Sequence, residues 1–135
     1  TEPGVSIGVD VFDVREFVRP GQNAKEAFSG LYHVFSNTEW LFINGSASED
    51  SALDRFAQMW TAKESYAKAI GLGLALEPHR LAVSAACTMR ARVALDGAPL
   101  NDWSFSLFGL LPGYWLCVAA SADAQVDMEW VDLPV

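Results

Sequence analysis

The segment W-T-A-K-E-S-Y-A-K, residues 60–68, carries side chains that are suited to phosphate chemistry. Trp60, Glu64 and Lys68 recur at every fourth position, so they share one side of a helix, and Lys63 lies one helical step from Glu64. A carboxylate between two lysines is able to hold a divalent metal together with a polyphosphate. The same spacing also fits a solvated ladder of Glu–Lys ion pairs, which spacing alone favours.

A second acid, Asp10, lies in the middle of the apolar and β-branched segment 5–14, which is typical of a strand. Strict alternation places Asp10 on the same face as Gly8 and Phe12 and on the opposite face from Val9. Burying a carboxylate is costly unless a partner compensates its charge. Two interpretations are open: an acid satisfied by backbone donors at the edge of a sheet, or a metal ligand.

The helix that carries Glu64 is predicted over residues 51–73, because apolar side chains recur there at spacings of three and four. Ser46 and Glu49 precede it with the spacing of a capping box. Gly71 and Gly73 supply the signal that ends it.

The other predicted elements are a short helix over 24–35, either continuous or interrupted at Gly30, and a second one that Ser36 and Glu39 open as a capping box. After the long helix the hydrophobic period changes to two, which is typical of strands. The strands are predicted over 81–87, 88–95, 103–107 and 114–120. Helices followed by strands in hairpins predict an α+β domain in which helices pack on a small, mainly antiparallel sheet.

The composition limits the possible functions. The 135 residues are 51% hydrophobic, which suits one compact domain with a core. The net charge of −8 argues against a general nucleic-acid binder, and no apolar segment is long enough for a membrane span. Cys87 and Cys117 both lie in apolar segments, which favours buried reduced thiols and a cytoplasmic protein over a disulfide scaffold.

Several of these pieces occur in a recognisable order: residues 8–10 (G-V-D), 35–40 (F-S-N-T-E-W), 60–68 and 71–73 (G-L-G). Together they resemble the 4'-phosphopantetheinyl transferases, whose hallmarks are a G-[IV]-D strand and a W-x-x-K-E-[SA]-x-x-K helix. The chain is most similar to the larger, two-lobed type, and especially to the eukaryotic enzymes that act on aminoadipate-semialdehyde dehydrogenase. The resemblance covers roughly residues 5–120.

The resemblance implies transfer of the phosphopantetheine arm of coenzyme A to a serine of an acyl or peptidyl carrier protein, as in fatty-acid and polyketide biosynthesis. It implies Mg²⁺ as the cofactor and adenosine 3',5'-bisphosphate as the leaving product. Asp10 and Glu64 match the metal-binding acids of the family, and Glu64 is also the candidate base for the serine. Lys68 matches a lysine with a phosphate-contact or acid–base role, and Lys63 and Lys68 are the expected coenzyme A ligands. Neither a nucleic-acid nor a membrane partner is implied.

The sequence departs from the family pattern in two respects. Many relatives carry a third acid where this chain has Phe12, so a water or Asp13 is the alternative third ligand. In two-lobed relatives the G-[IV]-D strand follows a first lobe, so residues 1–135 are expected to be a single C-terminal lobe. Such a lobe needs an N-terminal lobe or a second subunit as partner. The alternative is a non-catalytic module that binds a carrier protein or a partner lobe.

In relatives the carrier protein docks near the segment between the first strand and the long helix. Four residues of this chain offer apolar surface there, although packing in the core is the more common fate of such residues. They are Phe28, Leu31, Tyr32 and Phe35.

Overall fold

The computed structural model of the chain describes residues 4–85 and 89–121. These residues form four α-helices and six β-strands, with two short 3-10 turns after the last helix. The helices are α1 (Val14–Phe17), α2 (Ala24–Phe28), α3 (Asn37–Asn44) and α4 (Glu49–Ala69). The strands are β1 (Ile7–Asp13), β2 (Leu81–Ala85), β3 (Arg90–Leu95), β4 (Ala98–Pro99), β5 (Trp103–Leu111) and β6 (Tyr114–Ser121).

The six strands form one antiparallel sheet in the order β1-β6-β5-β3-β2, and β4 pairs with β3. The long helix α4 crosses one face of this sheet and contacts mainly β1 and β6. This arrangement confirms the predicted α+β class with a mainly antiparallel sheet. None of the helices among the described residues combines the length and apolar character that a membrane span needs.

The long helix α4 begins at Glu49, two residues before the predicted start. Its cap is Ser48, whose hydroxyl oxygen accepts a hydrogen bond of 3.1 Å from the N–H of Ser51. The prediction that Ser46 is the cap is wrong, because the Ser46 hydroxyl donates to the carbonyl oxygen of Ile43 at 2.7 Å. Both Ser46 and Ser48 lie where a helix cap is expected from the sequence, but the hydroxyl of Ser46 is bound to the C-terminal end of α3.

The C-terminal end of α4 is closed by a glycine, as predicted. Gly71 has a φ of +76°, and its N–H donates to the carbonyl oxygen of Lys68 at 3.1 Å. The N–H of Leu72 donates to the carbonyl oxygen of Ala67, also at 3.1 Å. These two bonds make a Schellman motif, which glycine accommodates without strain. The fixed end places Lys68 in the last turn of the helix.

The strand β1 shows the predicted alternation of faces. Gly8 and Asp10 are buried on the face that packs against α4. The side chains of Ile7, Val9 and Val11 are on the other face and are 43–44% exposed. One face of β1 is therefore part of the core, whereas the other presents an uncovered apolar row.

The core between α4 and the sheet continues into an aromatic cluster around the first half of α4. Phe28 and Phe35 are buried in this cluster, whereas the neighbouring Tyr32 is 56% exposed. Of the four residues expected to offer surface to a carrier protein, two thus belong to the core and Leu31 is half-buried. The ring contacts of Phe56 define the cluster: Phe12, Phe17, Phe28, Phe35, Trp40 and Trp60.

Other boundaries differ from the sequence prediction. The helix expected over 24–35 ends at Phe28, and the positive φ of +86° at Gly30, the position considered for an interruption, does not continue a helix. The strand β5 continues to Leu111, beyond its predicted end. The predicted strand ends at Cys87 and Thr88 lie outside the described residues.

Candidate active site

The last turns of α4 lie directly against β1, which brings two charged side chains of the sequence motifs together. Lys68 Nζ donates to Asp10 Oδ1 at 2.6 Å. The Asp10 side chain is 11% exposed, whereas the Lys68 side chain is 50% exposed. The carboxylate of this ion pair is therefore buried, whereas its ammonium group is accessible to solvent.

Glu64 precedes Lys68 by one helical turn and is half-buried. Burial raises the pKa of the Glu64 carboxyl above its ordinary value, and the negative charge of Asp10 raises it further, while the charge of Lys68 lowers it. These mutual effects indicate that Asp10 (the strand acid), Glu64 (the helix acid) and Lys68 form one electrostatic cluster. A carboxylate with a raised pKa is suited to accept a proton near neutral pH.

The donor set of this cluster fits a magnesium ion that is shared with a phosphate-bearing ligand. Asp10 Oδ2 is buried and has no hydrogen-bond partner, which is costly for a carboxylate oxygen unless a cation or a donor compensates it. The described residues contain no group of three or more His, Cys, Asp and Glu side chains able to hold a metal. Mg²⁺ commonly binds through one or two carboxylates together with substrate phosphates and water.

The structure does not bring Lys63 to this cluster. Its side chain is 1% exposed, and its ammonium group donates to Glu39 Oε1 at 2.9 Å. The same ammonium group donates to the carbonyl oxygens of Val34 at 3.1 Å and Pro78 at 3.0 Å. These three acceptors match the three donors of an ammonium group. Lys63 therefore does not join Asp10 and Lys68, and the coenzyme A contact that the resemblance implies for Lys63 stays a prediction.

Glu39 completes this second, buried network, which sequence reasoning missed. Its Oε1 atom also accepts from the N–H of Ser36 at 2.9 Å, and its Oε2 atom accepts from the N–H of Val83 at 2.9 Å. The network thus joins α3, α4 and the outer edge of β2. Burial lowers the pKa of Lys63, and the hydrogen bond and charge of Glu39 oppose that shift. The sequence signals at Glu39 were the capping box and the F-S-N-T-E-W piece of the resemblance, and neither indicated this role.

The two positions considered for a third metal ligand have other roles. The ring of Phe12 packs against Phe17 and Phe56, with centroid distances of 5.3 and 5.7 Å. Asp13 caps α1 by accepting from the backbone N–H of Arg15 at 2.9 Å, and it forms an ion pair with the Arg15 side chain at 3.1 Å. Strand alternation also places this acid on the opposite face from the buried one.

The cluster is bounded on one side by the neighbouring strand β6. Asp10 pairs across β1 and β6 with Cys117, so both side chains project from the same face of the sheet. Cys117 is free, as predicted, and 0% exposed, and burial raises the pKa of its thiol to about 12. The site is therefore accessible from the side of Lys68 and sealed on the side of β6, where the thiol lies.

A separate open cleft of about 940 Å³ lies at the other edge of the sheet, beside the start of α3. Its lining includes Arg92, Asn101 and Trp103. Because β1 and β2 are the outer strands of the sheet, this cleft lies across the full sheet from the acidic cluster. It is therefore not part of the candidate active site.

Comparison with known proteins assigns the chain to a family. Residues 6–119 match the family model described as the 4'-phosphopantetheinyl transferase superfamily. The chain is 33% identical over 113 residues to an L-aminoadipate-semialdehyde dehydrogenase-phosphopantetheinyl transferase from Pongo abelii, covering 77% of this chain and 36% of that relative. It is 30% identical over 142 residues to a phosphopantetheinyl transferase from Thraustochytrium sp., covering 95% of this chain and 48% of that relative.

The fold also matches a solved structure. A holo-(acyl-carrier-protein) synthase from Bacillus anthracis, solved in complex with CoA (3',5'-ADP), superposes with a TM-score of 0.62 and 15% sequence identity. The match covers 88% of this chain and 96% of the synthase chain. This likeness concerns the fold. The chain spans about one third to one half of the length of the curated relatives named above. The chain belongs to the 4'-phosphopantetheinyl transferase superfamily.

Proposed function

We propose that the protein transfers the 4'-phosphopantetheine arm of coenzyme A to a serine of an acyl or peptidyl carrier protein, with Mg²⁺ as cofactor. The observation that carries the proposal is the ion pair of Asp10 and Lys68, with the half-buried Glu64 one helical turn before Lys68, in a chain that belongs to this superfamily. Two named relatives are phosphopantetheinyl transferases, and the structural neighbour was solved with CoA (3',5'-ADP), which supports the substrate class.

In this reaction the serine oxygen of the carrier protein forms a bond to the phosphorus that bears the pantetheine arm. The bond from that phosphorus to the bridging oxygen breaks, and adenosine 3',5'-bisphosphate leaves. Asp10 and Glu64 would hold the metal ion, which neutralises charge on the diphosphate when bound. Glu64 accepts the serine proton, directly or through a water. Lys68 is half-exposed and contributes its positive charge to the phosphate groups.

A partner is proposed to complete the coenzyme A site. The uncovered apolar row of Ile7, Val9 and Val11 supports a packing partner on the face of β1 opposite Asp10. Because β1 is an outer strand of the sheet, such a partner would reach the site around the edge of β1. The chain covers 36–48% of two relatives that share 30–33% identity with it, which favours a further lobe as that partner over a second copy. Analytical ultracentrifugation tests this choice, since a stable homo-oligomer of this chain would favour a second subunit instead.

The proposal is tested by labelling a carrier protein with a fluorescent coenzyme A derivative in the presence and absence of Mg²⁺. We expect Asp10→Asn and Glu64→Gln each to lower the labelling rate at least about 100-fold, which corresponds to about 3 kcal/mol. Asp13→Asn is the matched control, because Asp13 lies on the same strand but on the opposite face, where it caps α1. Wild-type rates in both site variants would refute the assignment of the metal ligands.

The alternative is a module that binds a carrier protein or a partner lobe without catalysis. The specific observation in its favour is that the chain covers 36% of the Pongo abelii relative. Calorimetry with coenzyme A and Mg²⁺ on this chain separates the two candidates. Metal-dependent binding that Glu64→Gln abolishes supports the transferase, whereas carrier binding without coenzyme A binding supports the module.

A further inference from the structure

Gly8 lies two residues before Asp10, on the same face of β1, and packs directly on the backbone of α4. A Cβ atom at this position would lie 2.0 Å from the carbonyl oxygen of Ser65 and 2.5 Å from the backbone nitrogen of Ala69. Ordinary van der Waals contact begins at 3.4 Å. Because both near atoms belong to the helix backbone, a side-chain rotation cannot relieve the overlap. Only a hydrogen atom fits between this strand and this helix.

The contact is at the same level of α4 as the candidate active site. Ser65 directly follows Glu64 in sequence, and Ala69 directly follows Lys68. The two backbone contacts of Gly8 are therefore one helical turn apart, as are the two charged residues. The approach of β1 at Gly8 therefore determines how near the strand acid comes to the helix acid and the helix lysine. The 2.6 Å ion pair of the strand acid depends on this approach.

The pairing of β1 with β6 does not depend on the spacing between β1 and α4 at Gly8. β1 pairs with β6 residue by residue from Ile7–Ala120 to Asp13–Tyr114, so a methyl group between strand and helix leaves this register possible. The shortfall from 2.0 to 3.4 Å requires the strand and the helix to separate by more than about 1 Å. A displacement of this size at a reacting centre can cost about 100-fold in rate.

We propose that Gly8 is a positioning residue: it sets the separation between Asp10 and Glu64 and thereby the ability of this pair to bind Mg²⁺ together with coenzyme A. The inference rests on the proposed function and adds to it the reason why glycine stands at this position. Glycine has this role because it has no Cβ atom, whereas the Cβ atom of any other residue would hold the two acids apart.

The test compares Gly8→Ala with Gly109→Ala in the same protein. Gly109 is also a strand glycine on the face toward α4, but a Cβ there would meet only the ring of Trp115, at 3.3–3.7 Å. Isothermal titration calorimetry with Mg²⁺ and coenzyme A is the first readout. We expect Gly8→Ala to weaken Mg²⁺-dependent binding at least about tenfold and to lower kcat for carrier labelling about 100-fold, with an unchanged KM for the carrier protein. Gly109→Ala is expected to bind and react like the wild type.

Circular dichroism and thermal unfolding establish that the variants are folded. Ala69→Val provides a milder displacement, because the Ala69 side chain lies beside the position that a Gly8 side chain would occupy. The expected order of Mg²⁺ affinity is wild type, then Ala69→Val, then Gly8→Ala. A folded Gly8→Ala or Ala69→Val protein with wild-type affinity would overturn the positioning role. If Asp10→Asn and Glu64→Gln also bind Mg²⁺ and coenzyme A normally, the proposed function itself fails.

Discussion

Lys63 and Lys68 are five residues apart on α4, and both have an acidic partner, but their surroundings differ. Lys63 is 1% exposed and its ammonium group has three acceptors within the fold. Lys68 is 50% exposed and pairs with an acid whose second oxygen has no partner. The first network is complete without a ligand, whereas the second leaves a buried carboxylate oxygen to be satisfied.

This difference separates a structural ion pair from a candidate functional one. A complete buried network joins segments and limits their movement, and it has no free donor to offer a substrate. An incomplete and accessible cluster is suited to bind a cation and an anionic ligand, which satisfy the remaining groups. The W-x-x-K-E-x-x-x-K helix thus carries both kinds of lysine.

The largest expected effect comes from breaking the buried network. Lys63→Ala leaves the Glu39 carboxylate buried without its charged partner, so the free energy of unfolding is expected to fall by about 3–5 kcal/mol. Urea denaturation followed by circular dichroism measures the change. A loss below about 1 kcal/mol would show that the network does not stabilise the fold, and Lys68→Ala is the matched control on the same helix.

A smaller effect is expected from neutralising the acid of the same network. Glu39→Gln retains an oxygen acceptor but removes the negative charge and replaces the other oxygen with a donor that faces the N–H of Val83. The free energy of unfolding is expected to fall by about 2 kcal/mol. Hydrogen exchange at Val83 is a second readout, because this amide at the edge of β2 should lose protection more than the amides of β6. Equal changes in both strands would contradict a local role of Glu39.

Much of the fold could be predicted from hydrophobic spacing and turn residues. The alternation in β1 predicted that Asp10 shares a face with Gly8, and Gly71 predicted the end of α4, because both signals are local. The alternation did not predict which face of β1 is buried. The partner of Lys63 could not be predicted, because Glu39 lies 24 residues away and is joined to it only by tertiary packing. Lys63 and Glu64 are adjacent in sequence but about 100° apart on the helix, and the motif does not say which of them faces the core.

The candidate site could be predicted only when the strand motif and the helix motif were considered together. Glu64 and Lys68 alone have the spacing of an exposed ion-pair ladder, and Asp10 alone is an isolated acid in a strand. The resemblance to the transferases predicted that these residues meet, and the packing of β1 on α4 brings Lys68 to Asp10. The role of Gly8 could not be inferred from local spacing, since the limiting atoms belong to the backbone of a distant helix.

At the accessible lysine a small effect on stability is expected. Because Lys68 is half-exposed, water reaches Asp10 when the lysine is replaced, and Lys68→Met should change the free energy of unfolding by about 1 kcal/mol or less. Carrier labelling in the same variant should nevertheless fall at least about 100-fold. A stability loss as large as that of Lys63→Ala, or a wild-type labelling rate, would remove the distinction between the two lysines.

The smallest expected effect concerns the sealed side of the candidate site, where Cys117 lies across from Asp10. A thiol reacts with iodoacetamide as the thiolate, and burial raises the pKa of Cys117 from an ordinary value of 9.0 to about 12. At pH 8.5 the folded protein should therefore show no measurable alkylation of Cys117, and 6 M urea, as a strong denaturing condition, should expose it.

Peptide-resolved mass spectrometry measures this reaction separately from that of Cys87, which lies outside the described residues. Raising the pH from 8 to 9.5 should increase alkylation of Cys117 strongly in urea but hardly in the folded protein, because the thiolate forms near pH 9 only when the chain is unfolded. Rapid alkylation of the folded protein would mean that solvent also reaches the site from the side of β6. The site would then be open on both sides, and the buried oxygen of Asp10 would lose its significance as a vacant ligand position for a cation.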